Sequence, residues 1–273
     1  MSNFWAGLFW HDLQSLIISH VKDESGIFVP KSISADSDFT SYVSAFLPQT
    51  SLSSARSAIA SAYPSKAYKS PKARVSAVIR DSSFTCNVQQ LFQAYGGIVD
   101  TYVLSYDFEL LIPIIQYGLP AVHGTDLLPT FWNAEVDFAV FLRTLIQQVS
   151  GHDIGKVGAK WLAGRYAQFS PKYQAYLAAD ALFGDPNKAG TQNPPWSTAI
   201  AAGTSIGNVM LAQATPTATQ FSATVDLINT SGLCDFWTKL ASQIAPTSTA
   251  MQTPAPTIPH AKLDRDEALG ELK

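Results

Sequence analysis

A chain of 273 residues, 47% hydrophobic and 14% charged, carries enough apolar mass for one large buried core, which excludes disorder for most of its length. Its formal charge of −3 arises from scattered basic and acidic residues; without a basic stripe, nucleic acid is excluded as a partner and a small organic substrate fits better. No apolar run reaches the ~20 residues needed to cross a bilayer, and Met1–His20 lacks a basic start and a small-residue cleavage site, so the expectation is a chain with no transmembrane segment and, as written, no secretory leader.

The first element is Leu13–Ser19, LQSLIIS, a short apolar run that predicts a buried strand. It leads straight into Lys22, Asp23, Glu24, Ser25 and Gly26. Charged residues at the carboxyl end of a buried strand mark the edge of an α/β sheet on which sites are built. Phe39–Phe46 and Ser53–Ala62 read as helices, the second with Ser51 or Ser53 available as N-cap. Arg74–Ile79 and Phe84–Tyr95 suggest a helical pair that ends at Gly96-Gly97. Thr101–Phe108, TYVLSYDF, is the second strand. The loop after it contains Pro113, Gly118, Pro120 and Gly124, and His123 lies inside it.

Glu135–Val149 is apolar on most faces, which predicts a helix buried on more than one side. Lys172–Phe183 is a further helix, stopped by Gly184, Asp185 and Pro186. Val209–Ala212 and Gln220–Ala223 read as short edge strands that pair. Residues 246–273, rich in Pro, Thr and Ser before LDRDEALGELK, read as a flexible tail. Only two strong core strands emerge, fewer than a doubly wound sheet needs. Cys86 and Cys234 are too few for a zinc cluster and lie in no C-x-x-C spacing, so neither a metal site nor a cofactor is expected. They can form one disulfide or remain two thiols, and a chain without a leader favours thiols.

The segment KDESGIFVP (Lys22–Pro30) resembles the acid-bearing turn of fungal type-B carboxylesterases and lipases, in which a D-E-G motif with a nearby Phe follows a buried strand. VHGTDLLPTFWN (Val122–Asn133) resembles the H-G-x-D/E loop of the same family. Three more stretches fit in order: FTCN (Phe84–Asn87), YQAYLAADALFGDPN (Tyr173–Asn187) and LCDFW (Leu233–Trp237). Five motifs in the right order are specific where one alone is weak. One departure is Ser25 in the place of the family Gly, with Gly26 one position later.

The resemblance implies an α/β chain with a partial, truncated α/β-hydrolase fold, in which few parallel core strands carry several packing helices. Residues 1–245 would correspond to the C-terminal part of a carboxylesterase domain. Glu24 would be the acid and His123 the base of a Ser-Glu-His triad, and Cys86–Cys234 would be a disulfide, which argues for secretion. Asn229 begins a glycosylation sequon that matters only in a secreted protein. The family's Gly-rich oxyanion loop and G-E-S-x-G elbow have no counterpart here. Gly203-Thr204-Ser205-Ile206-Gly207 satisfies G-x-S-x-G, but no convincing strand precedes it and Ser205 follows both partners, against the chain order Ser, acid, His. Ser205 is therefore set aside as a nucleophile.

The remaining histidines have plainer readings, with His11 and His20 as surface or packing residues beside the first strand, His152 in a turn and His260 in the tail. Asp23 and Asp126 read as supporting or solvent-facing carboxylates. The aromatic group Phe131, Trp132, Phe138 and Phe141 reads as core. Three functions from different classes remain open: an ester hydrolase whose serine comes from a complementing N-terminal esterase half, a stand-alone His/Glu acid–base enzyme acting on a natural product (dehydratase, isomerase or cyclase), and a non-catalytic interaction module. Partners to expect are a small ester or natural product, that complementing half, or further copies of this chain.

Overall fold

The computed structural model describes residues 13–107, 110–112, 117–119, 121–133, 138–151, 153–190, 193–214, 219–226 and 232–244. Asn229, residues 246–273 and the histidines at 11, 152 and 260 lie outside the described residues. Among those described, the strands are β1 (Ser15–Val21), β2 (Asp100–Asp107), β3 (Leu110–Ile112), β4 (Tyr117–Leu119), β5 (Ile200–Ala202), β6 (Ser205–Ala214) and β7 (Thr219–Asp226). The α-helices are α1 (Asp36–Phe46), α2 (Ser53–Ala62), α3 (Pro71–Arg80), α4 (Cys86–Tyr95), α5 (Leu127–Thr130), α6 (Phe138–Ser150), α7 (Gly155–Phe183) and α8 (Leu233–Ile244). None of them is long and apolar enough to cross a membrane.

β1 runs parallel to β2, from Ser15 opposite Asp100 to Val21 opposite Tyr106. β2 runs parallel to β6, and β5 and β7 pair antiparallel with β6. The result is a mixed sheet in the order β1-β2-β6-β5, with β7 also on β6. The two expected edge strands are thus longer than the sequence suggests, and β6 is interior. Its neighbours on both sides explain why its residues Val209, Met210 and Ala212 are fully buried.

The two-residue alternation of the strands divides the core between the sheet's faces. Ile18, Val103 and Val209 pack against Val88 and Phe92 of α4. On the opposite face Tyr102, Leu104, Tyr106 and Met210 pack against α7 residues such as Tyr166 and Phe169. Helices on both faces of a sheet with parallel centre strands make this an α/β fold. A separate core, built by α1, α2, α3 and α8, surrounds the Cys86–Cys234 disulfide. The thiol expectation is therefore corrected, and the pairing implied by the resemblance holds.

Several elements differ from their sequence readings for definable reasons. Neither Ser51 nor Ser53 caps α2; the cap position falls to Leu52, with no side-chain bond. α3 has the stronger start, since Ser70 Oγ accepts from the Ala73 amide and Pro71 opens the helix. α7 begins at Gly155, well before Lys172, and continues through Pro171 to Gly184, whose left-handed φ of 66° ends it. Part of the expected His loop is the β3–β4 hairpin. α6 is not buried all round: Leu142 and Ile146 face the core while Val140 and Phe141 are exposed.

Candidate active site

The backbone alone brings Glu24 and His123 together. Beyond the last residue pair of β1 and β2, the Lys22 amide donates to the Tyr106 carbonyl at 2.9 Å, and the Asp23 amide to the Ala121 carbonyl at 2.9 Å. Asp23 forms a parallel bridge with Val122. Two parallel chains bridged at one residue place the next residues side by side, and here these are Glu24 and His123. The His123 Nδ1–H donates to Glu24 Oε2 at 2.7 Å. The other carboxylate oxygen, Oε1, accepts the Val21 amide at 2.8 Å, so one buried backbone donor fixes which oxygen faces the imidazole.

The two side chains differ sharply in exposure, 7% for Glu24 and 46% for His123. A buried carboxylate behind a half-exposed imidazole fixes the ring at Nδ1 and leaves Nε2 as the nitrogen able to exchange protons. In the turn beyond Glu24 the Asp23 carboxylate folds back over Gly26, where an added Cβ would come within 2.5 Å of one of its oxygens and displace that side chain. Ser25, in the place of the family Gly, is fully buried and shares a 2.7 Å hydrogen bond with Ser76 of α3. On the base's side, the Thr125 amide and hydroxyl both donate to the Val122 carbonyl, at 3.0 and 2.6 Å. Gln174 of α7 donates to the Pro129, Thr130 and Trp132 carbonyls at 3.1, 3.2 and 2.8 Å, closing the loop's far end.

Asp126 lies half-buried beside the pair. Burial lifts its carboxyl above the usual carboxylate range, with the charge of Glu24 adding to the effect and that of His123 opposing it. The aromatic group beyond it is divided: Trp132 and Phe138 pack against the core as expected, whereas Phe131 and Phe141 do not. Phe131 is 76% exposed and Phe141 46%, and with Leu127, Leu128, Asn133 and Phe138 they line an open cavity of about 270 Å³. Among the described residues, no group of three His, Cys, Asp or Glu side chains could hold a metal ion.

Ser205 lies elsewhere. Gly203 and Thr204 form the tight turn between β5 and β6, so the motif sits in an antiparallel hairpin and not in a strand-to-helix elbow. A strand does precede it, contrary to the sequence reading, but of the wrong kind. The β2–β6 register, with Leu104 opposite Met210, puts Ser205 at the start of its strand. Glu24 follows the end of β1, roughly 20 Å away along the strand direction at about 3.3 Å per residue.

No protein-family model matches the chain. A secreted lipase of Arthroderma benhamiae is 26% identical over 254 residues, covering 86% of this chain and 39% of the lipase. The likeness is thus to a secreted lipase. Two solved structures of PNB esterases also align, one thermophilic at 13% identity with a TM-score of 0.47, covering 82% of this chain and 38% of the esterase, the other at 12% and 0.47, covering 81% and 37%. The chain thus spans about two fifths of the length of this curated relative.

Three features of the site escaped the sequence reading. Phe84 and Phe28 both pack on the His123 ring, with centroids 4.7 and 5.4 Å away; each lay inside a recognised motif without an assigned task. The third is the partner of His20: the residue is buried, in line with the packing alternative, and donates from Nε2–H to the Asp226 carboxylate. Burial alone would lower the His20 pKa, but the hydrogen bond to and charge of Asp226 outweigh it and raise the pKa above 6.5. The alternation of His20 with Ile18 on β1 was the available signal of burial.

Proposed function

We propose that this chain supplies the acid and base of carboxylic ester hydrolysis, with the attacking serine contributed by a further segment of the assembled hydrolase. The observation that carries this reading is the Val21 amide–Glu24–His123 chain of hydrogen bonds, in which a buried carboxylate holds Nδ1 of a half-exposed ring and leaves Nε2 outside that bond. In such a relay Nε2 takes the hydroxyl proton as the oxygen attacks the ester carbonyl, then returns it to the leaving alcohol, while the carboxylate stabilises the intervening imidazolium. The open apolar cavity that begins with Leu127 and Leu128 suits the hydrocarbon part of an ester.

The test is complementation. The chain is co-expressed with the portion of the Arthroderma lipase that lies outside the matched region and assayed with a short-chain p-nitrophenyl ester and a serine-directed phosphonate. Phosphonate-sensitive turnover that His123→Ala and Glu24→Gln each abolish is expected, with none from the chain alone. Turnover indifferent to both substitutions, or phosphonate labelling of Ser205 in the isolated chain, overturns the proposal.

A second reading is favoured by the half-exposed base beside an open cavity, which needs no serine: acid–base conversion of a small natural product by His123 and Glu24 alone. It requires turnover by the isolated chain that His123→Ala abolishes and the phosphonate leaves untouched.

A further inference from the structure

We infer that Phe84 is a positioning residue for His123, presented by a π-helical turn that the rest of the fold holds open. The inference rests on the reading of Glu24 and His123 as the acid–base pair. α3 and α4 are joined without a loop, through the π-turn Asp81–Thr85. A π-turn adds a residue to the helical ladder and pushes a side chain out of the regular helix face, a local cost found mostly where function requires it.

The turn is anchored at both ends to α8. At its start Asp81, only 2% exposed, accepts from the Tyr63 hydroxyl at 2.9 Å and from Arg80 Nε at 2.7 Å. The Tyr63 oxygen in turn accepts from Trp237 Nε1 on α8 at 2.6 Å. Directly after the turn, Cys86 is bonded to Cys234, also on α8. Between these anchors Phe84 packs against His123, with centroids 4.7 Å apart, and stacks on Phe28 at 5.6 Å. Phe28 closes the triangle with His123 at 5.4 Å.

The three rings answer a mechanical need. A hydrogen bond at Nδ1 fixes one atom of the imidazole but not the ring's rotation about that atom, and a half-exposed ring can swing into water. Packing of Phe84 and Phe28 on the ring supplies the missing constraint. The same helical element braces the acid, because Ser76 of α3 holds Ser25 beside Glu24. One element, α3 with its π-turn and α4, therefore steadies both members of the pair.

The test reads geometry rather than activity. In the full chain carrying ¹⁵N-labelled histidine, the His123 Nδ1 proton, assigned by its loss in His123→Ala, is followed for exchange with water. Phe84→Ala should speed that exchange on the order of tenfold, Phe84→Leu should do so less, and Phe84→Tyr, which keeps the ring, should restore the native rate. Phe183→Ala, the same truncation at an exposed site on α7, should change nothing. A native rate in folded Phe84→Ala, or an equal acceleration in Phe183→Ala, overturns the inference. If Phe84→Ala does not fold, the Leu and Tyr variants decide, and equal exchange in the two overturns it. Ester turnover indifferent to His123→Ala would sink the functional reading alone, leaving the Phe84 effect on the proton intact.

Discussion

Two imidazole–carboxylate pairs start from the same short stretch of chain, His20 to Glu24, and they are opposites. His20 lies within β1, with a side chain 8% exposed, and is paired to Asp226 at the far end of β7. Glu24 lies just beyond β1 and pairs with a His123 that is half in water. The chemical ingredients are the same, and solvent access separates the roles. A buried pair ties two distant parts of the sheet together, whereas a buried carboxylate behind an accessible imidazole leaves the ring open to proton exchange, as the proposed function requires.

The contrast can be broken most forcefully by removing each histidine in turn. In the complemented esterase, His123→Ala should lower turnover by about 10²–10⁴-fold, the range of general acid–base catalysis, with a melting temperature close to native. His20→Ala should do the reverse, leaving the chemistry of any remaining fold intact while losing about 3 kcal/mol of stability, because it strands the Asp226 carboxylate. Stopped-assay kinetics and chemical denaturation distinguish the two. If His20→Ala were as inactive as His123→Ala at full stability, the division of roles would fail.

Next in size is the disulfide, which closes a long loop, the cysteines being 148 residues apart in sequence. Cys86→Ala with Cys234→Ala should cost about 2–4 kcal/mol in denaturant unfolding. A loss confined to the α1–α3 and α8 core, read by hydrogen exchange, would separate that core from the sheet carrying the site.

A smaller effect comes from pH. His20 has a folded pKa above its unfolded value near 6.5. Its contribution to stability is therefore complete below pH 6.5 and is lost as pH rises through the folded pKa, with a slope of at most about 1.4 kcal/mol per pH unit. Denaturation midpoints should fall across that window in the native chain, and Asp226→Asn should flatten the fall. Smallest of all, Asp126→Asn should change stability at neutral pH by no more than about 0.5 kcal/mol, in the stabilising direction, because the fold disfavours ionisation of that carboxyl. A clear destabilisation would show that the Asp126 charge is needed.

The legibility of the molecule follows the range of its interactions. β1 and β2 were readable because each strand's burial is written into its own apolar and β-branched residues, and the order of motifs then pointed to Glu24 and His123. The first half of α7 was not, since Gly158 and Gly164 interrupt any helical pattern and the surrounding core overrides their poor propensity. The π-turn was equally hidden, because it depends on Asp81 meeting Tyr63 and, through it, Trp237. The His20–Asp226 pair joins residues 206 positions apart, a distance no local pattern spans.

The Asp23–Val122 bridge carries a consequence for how this region can vary. Because Glu24 and His123 are neighbours only by running in step past that bridge, their meeting depends on counting residues as much as on residue type. One residue inserted between Val21 and Glu24 would turn the carboxylate to the other side of its chain while leaving every side chain of the site present. Length here is under tighter constraint than composition, so substitutions around Lys22 and Val122 should be tolerated where single insertions or deletions are not.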